Sequence, residues 1–152
     1  MRGECVSKDW MVRMPDREFE QLAANWWEFQ RRTVGSRQER RALEQGQPAE
    51  VQAADDAVRA MVDAGGDAGV AFLRRLNDAS PPHDDGETVG AGPLEDLLHE
   101  HGDSVVDAIE LNARQSPSFA RALSHAWLEK GHNTPAVEAR LARWTRSRNP
   151  GS

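Results

Sequence analysis

The chain has 152 residues, a formal net charge of −6, 38% hydrophobic and 29% charged residues, and five Trp. A chain of this length sustains one core, burying roughly 70% of the surface it would expose unfolded, and its low apolar content rests that core on a few large side chains plus many Ala. A single cysteine, Cys5, excludes an internal disulfide and a cysteine-rich zinc site, and the absence of a long apolar run excludes a transmembrane helix; the expectation is an unexported, cytoplasmic protein whose acidity disfavours general nucleic-acid binding.

Pro15 and Asp16 open the first predicted helix, with Asp16 as its cap and Phe19, Leu22, Ala23 and Trp26 at helical spacing. The helix weakens at Thr33, Val34 and Gly35, poor helix formers, and Ser36 with Glu39 forms a capping box able to restart the chain as a second short helix, across either a kink or a turn. Pro48 is predicted at the first position of the next helix, which buries Val51, Ala54, Val58, Met61 and Val62 and stops at Gly65 and Gly66. Asp67 then caps a helix carrying Val70, Leu73 and Leu76 inward. Pro81, Pro82 and Gly86 mark residues 80–90 as a loop.

Three more helices are predicted between Ala91 and Leu128. Pro93 starts the first, with Glu95 and Asp96 favouring the positive end of its dipole and Leu94, Leu97 and Leu98 buried; Gly102 ends it. Asp103 caps the second, which buries Val106, Ile109 and Ala113, and Ser116 with Pro117 starts the third, which buries Phe119 or Ala120, Leu123 and Trp127. A last helix begins at Thr134 and Pro135 and carries Val137, Leu141 and Trp144.

No segment alternates with period two. The sequence therefore specifies an all-α single domain over residues 1–152, with about six to eight helices, flexible termini at 1–14 and 146–152, and short links that make consecutive helices antiparallel neighbours. Pairs of similar length also permit a stacked, solenoid-like order, though no repeat is visible.

The run Ala91, Gly92, Pro93, Leu94, Glu95, Asp96, Leu97 and Leu98, then His101 and Gly102, then Pro117, Phe119, Leu123 and Trp127, resembles the pattern of an uncharacterised family of small bacterial proteins, a domain of unknown function. The resemblance implies a fold and a bacterial source. It implies no activity, cofactor or catalytic residue.

Several residues invite a chemical role. His99 and His101 are two apart and point to different helical faces, so they cannot chelate one ion together; Glu95 and His99, four apart, can share one, but they make half a metal site. Last-turn helix capping accounts for His101, and first-turn capping for Glu95 and Asp96. No nucleophile constellation or phosphate loop accompanies them, so neither a metal nor any other cofactor is expected, and a small hydrolase or metal-dependent enzyme built on Glu95, Asp96 and His99 or His101 stands as the alternative. Trp26 belongs to the core stripe, whereas Trp27 lies off it, either as a second core contact or as an exposed anchor beside Arg31 and Arg32.

Charge layout carries the main expectation. No Lys or Arg occurs from Pro81 to Ala113, an interval containing Asp84, Asp85, Glu87, Glu100, Asp103, Asp107 and Glu110, while arginines cluster at 31–41 and 140–148. Asp103, Asp107 and Glu110 share one helical face, away from Val106 and Ile109. Together with Trp27 these acids define an expected surface for a basic partner protein, as in an immunity or antitoxin-like inhibitor. A nucleic-acid-associated regulator using the Arg31–Arg41 region is the second alternative.

Overall fold

The structure, a computed structural model, describes residues 14–129 and 131–145; Cys5 and the rest of the segments expected to be flexible lie outside the described residues. Met14, assigned from sequence to the flexible amino terminus, is instead buried. Among the described residues, seven helices of seven or more residues are formed: α1 (Asp16–Thr33), α2 (Arg37–Glu44), α3 (Ala49–Ala64), α4 (Gly66–Asp78), α5 (Glu95–Gln115), α6 (Pro117–Ser124) and α7 (Pro135–Leu141). A helical turn, Glu87–Val89, runs into a π-helical turn, Gly90–Leu94, ahead of α5. The described residues form no β-strand.

Local side-chain caps account for three of the seven starts. At α2 the Ser36 hydroxyl accepts from the Glu39 N–H at 3.2 Å and the Glu39 carboxylate accepts from the Ser36 N–H at 3.2 Å, so the capping box ends α1 and restarts the chain. The Ser116 and Thr134 hydroxyls accept from the Phe119 and Val137 N–H groups, each with Pro at the first helical position. Two starts shift by one residue: Pro15 caps α1 and leaves Asp16 inside it, and Pro48 caps α3 rather than opening it. Asp67 lies in the first turn of α4, whose cap is Gly65. The Asp16 carboxylate is used elsewhere, accepting from Arg75 of α4 at 2.8 Å.

The apolar stripes then meet. α1 packs on α3, and Phe19, Ala23 and Trp26 join Ala54, Val58, Met61 and Val62 in one core with Phe72, Leu73 and Leu76 of α4. Full burial of each large side chain contributes about 1.5–3 kcal/mol. The hub is α5, which packs against α3, α4, α6 and α7 and buries Leu97, Leu98, Val105 and Ile109 completely. A helix touching four others does not fit a stacked array, where each unit meets only its neighbours, so the solenoid-like order is not adopted.

Gly102 does not end a helix. It lies within the 21-residue α5, buried, where a Cβ would overlap the Asn133 side chain. The glycine admits a distant segment against the helix instead of stopping it. The expected 80–90 loop is also shorter: Asp84 accepts from the Thr88 hydroxyl at 2.5 Å and from its N–H at 3.3 Å, which closes the turn beginning at Glu87. α2 has no buried residue and is held to α1 by Arg31, which bonds Glu28 and Glu39; Arg31 and Arg32 pull the Glu28 carboxyl down to about 2.

Candidate acidic cleft

Continuity of α5 through Gly102 changes what its acids mean. Asp96, Glu100, Asp103, Asp107 and Glu110 follow at intervals of four, three, four and three, the spacing that places side chains along one face of an α-helix. Two short helices were expected there, which would have separated Asp96 and Glu100 from the other three. One helix makes them a single stripe.

In the carboxy-terminal half of the stripe the acids are bonded by α7 and the residues flanking it. Arg140 of α7 bonds Glu110, through Nε at 2.8 Å, and Asp107, through Nη2 at 2.7 Å; the Trp144 indole N–H donates to Glu110 at 3.4 Å and the Thr134 hydroxyl to Asp103 at 2.9 Å. Glu110, expected on a solvated face, is 6% exposed. Burial pushes its carboxyl up, but the hydrogen bonds from Arg140 and Trp144 and the charges of Arg140 and Arg114 outweigh this and hold it below its ordinary value. An accessible role for Glu110 is therefore corrected: it is the inner anchor of α7. Asp103 and Asp107 remain exposed, each with one of these contacts.

The other expected residues are dispersed. Asp84 is spent on its own turn, Asp85 pairs with Arg121 at 3.0 Å, and Glu87 is exposed. Trp27 is not an exposed anchor: it is half-buried, its indole N–H donates to the Leu76 carbonyl at 3.2 Å, and its ring meets Trp26 edge-on at 4.9 Å. A residue off the main stripe has found a second inward contact, on α4.

The residues of the enzyme alternative separate as well. Glu95 accepts from the Trp127 N–H at 2.6 Å and the His99 ring nitrogen bonds the Trp127 carbonyl at 3.0 Å, so one turn of α5 clasps a single residue of the chain leaving α6. His101 bonds the Val62 and Asp63 carbonyls at 2.9 and 3.0 Å, capping α3 and not its own helix. Asp96 faces elsewhere. Among the described residues no three His, Cys, Asp or Glu side chains are grouped to hold a metal ion.

Asp96 and Glu100 border a cleft of about 350 Å³ between α1, α3 and the π-helical turn. Trp26 and Phe29 come from α1, Val58 and Val62 from α3, and Gly92 and Pro93 from the turn, whose departure from helical geometry at Gly92 (φ −118°, ψ −108°) sets the wall. Asp55, Arg59 and Asp63 of α3 add charge. Asp55 is buried, accepting from the exposed Arg59 at 2.9 Å. That hydrogen bond is the main reason Arg59 holds its proton more strongly than usual, with Asp56 and Asp96 adding to the field. Four carboxylates, Asp55, Asp63, Asp96 and Glu100, thus line the cleft together with one arginine and several apolar side chains.

Asp55, Arg59, Asp63 and Phe29 were not singled out from the sequence. Asp55, Arg59 and Asp63 recur every four residues on α3, a visible signal, but nothing local places them opposite Asp96. The basic cluster at 31–41 is largely committed internally: Arg31 and Arg32 bond Glu28, and Arg40 donates to the Gly35 carbonyl at 2.6 Å. No helix among the described residues is long and apolar enough to cross a membrane.

No curated protein and no solved structure matches the chain. A family model does, that of a family of unknown function, DUF6869, over residues 41–148, which takes in α3 to α7, both halves of the acidic stripe and two of the three walls of the cleft. The chain belongs to the DUF6869 family.

Proposed function

We propose that the protein is a non-enzymatic binding module that holds a basic segment of a partner protein along the open half of the α5 acidic stripe. The observation carrying this is the division of the stripe. In its carboxy-terminal half Arg140 and Thr134 of the same chain already bond all three acids, whereas Asp96 and Glu100 are exposed beside a cleft with apolar walls. Carboxylates in a row steer and orient a cationic partner, and the apolar walls supply the burial that makes the contact specific. An immunity or antitoxin-like inhibitor of a basic nuclease fits this chemistry, since the partner's phosphate-binding surface is the kind of surface such a stripe engages. The lone Cys5 suits a reducing cytoplasm. Glu95, His99 and His101 each commit a polar atom to a backbone group away from Asp96, which favours a binding role over the hydrolase built on these four residues.

The test is recovery of partners from cells of the source organism on immobilised wild-type protein and on the Asp96→Lys/Glu100→Lys variant. A basic protein retained by the wild type and lost with the variant is the expected result. Equal recovery on both removes the open half-stripe from the account.

A further inference from the structure

We propose that the cleft is a seat for one arginine side chain of that basic segment, and that Arg59 is an internal occupant which the incoming guanidinium displaces from Asp55. The proposal rests on the binding role above and specifies its chemistry. Asp55 is 7% exposed, yet the cation it bonds belongs to a side chain that is 75% exposed and anchored at one end only. A buried carboxylate requires a cation or donors, but it does not require that particular one. An arriving guanidinium can take over the same oxygens while Arg59 swings into solvent, so the exchange leaves no buried charge unpaired.

Guanidinium fits better than ammonium for two reasons present in the fold. First, its flat fork bonds two carboxylates at once, as Arg140 does to Asp107 and Glu110 further along the same stripe. Second, it lies on aromatic rings, as Arg75 does over Phe19 at 4.0 Å while bonding Asp16. The cleft offers both elements together: Asp96 and Glu100, both exposed, the half-buried Phe29 ring on one wall, and Pro93 for the aliphatic stem. Its volume, about 350 Å³, is at the small end for ligand sites and suits a side chain more than a folded surface.

The experiment titrates the full chain, labelled with ¹⁵N, with three blocked pentapeptides, Gly-Gly-X-Gly-Gly, in which X is arginine, lysine or citrulline. Arginine is expected to shift the Trp26 indole and Gly92 amide signals, lysine to do so more weakly, and citrulline, which keeps the shape without the charge, not at all. Arg59→Gln should tighten the arginine peptide by about two- to fivefold, whereas Arg17→Gln, which changes net charge equally on α1, should not. Asp96→Asn/Glu100→Gln, exposed positions where the fold is not at stake, should weaken it by a similar factor and gives the answer even if Arg59→Gln melts early. Equal responses to arginine and lysine, or shifts confined to the Asp103 and Asp107 region, overturn the seat while leaving a basic partner in place. No response to any peptide overturns the seat, and the partner recovery described above separately decides the binding role.

Discussion

Glu95 and His99 sit one turn apart on α5 and use their side chains on the backbone N–H and C=O of Trp127, which converts two chemically reactive residues into a clasp for the chain between α6 and α7. Replacing Glu95 with Ala leaves a half-buried N–H without its charged acceptor, and about 1–3 kcal/mol of stability should be lost. Urea melts check this; an unchanged midpoint would show that solvent replaces the carboxylate and that Glu95 is available for chemistry after all. Gly65 offers a second test at the same scale. Its φ of 66° and ψ of −150° are rarely adopted by L-residues, and a Cβ there would meet the His101 ring at 2.8 Å. Gly65→Ala is expected to cost about 1–3 kcal/mol through backbone strain, and it should also push His101 off the α3 carbonyls, visible as faster hydrogen exchange in the last turn of α3.

Helix starts were legible where a cap is a local act, as at Ser36, Ser116 and Thr134, because hydroxyl and N–H lie three residues apart in the chain. Gly102 was misleading because its reason is distant: Asn133, thirty-one positions later, occupies the space a side chain would need. The buried stripes were legible in the periods of their apolar residues, and Val70, Leu73, Leu76, Leu97, Leu98 and Ile109 are all fully buried. Trp127 was expected in the core beside Phe119, yet it is half-buried, past the end of α6, while Phe119 is 0% exposed. Phe119→Ala should therefore cost about 3–5 kcal/mol and Trp127→Ala distinctly less, a ranking that chemical denaturation of the two variants decides. The docking of α7 has its own signature in pH. Because the folded chain holds the Glu110 carboxyl below its ordinary 4.5, its contribution is complete above that value and is lost as pH falls through the lowered one. Glu110→Gln should accordingly be less stable than wild type near neutrality, with the gap narrowing as the solution is acidified below 4.5. A gap independent of pH would mean that packing against Trp144, and not charge, fastens α7.

Across the whole molecule, the linear order of basic, acidic and basic segments becomes a spatial order in which the chain answers part of its own charge. The cleft could not be read from the sequence because its walls come from α1, α3 and the turn before α5, and only the packed core brings them together. This arrangement separates two charge reversals that the sequence makes look equivalent. Asp96→Lys/Glu100→Lys alters two exposed positions, where single surface charges contribute about 0–1 kcal/mol, so the melting temperature should stay close to that of the wild type while affinity for a basic partner falls. Asp103→Lys/Asp107→Lys/Glu110→Lys places an ammonium at a buried position against Arg140 and removes the acceptors of Thr134 and Trp144. That variant should lose stability and release α7, seen as a rise in hydrogen exchange over 135–141 and a change in Trp144 fluorescence. If instead the triple reversal melts like the wild type and only it abolishes partner binding, α7 is the displaceable element and the carboxy-terminal half of the stripe, not the cleft, is where the partner docks.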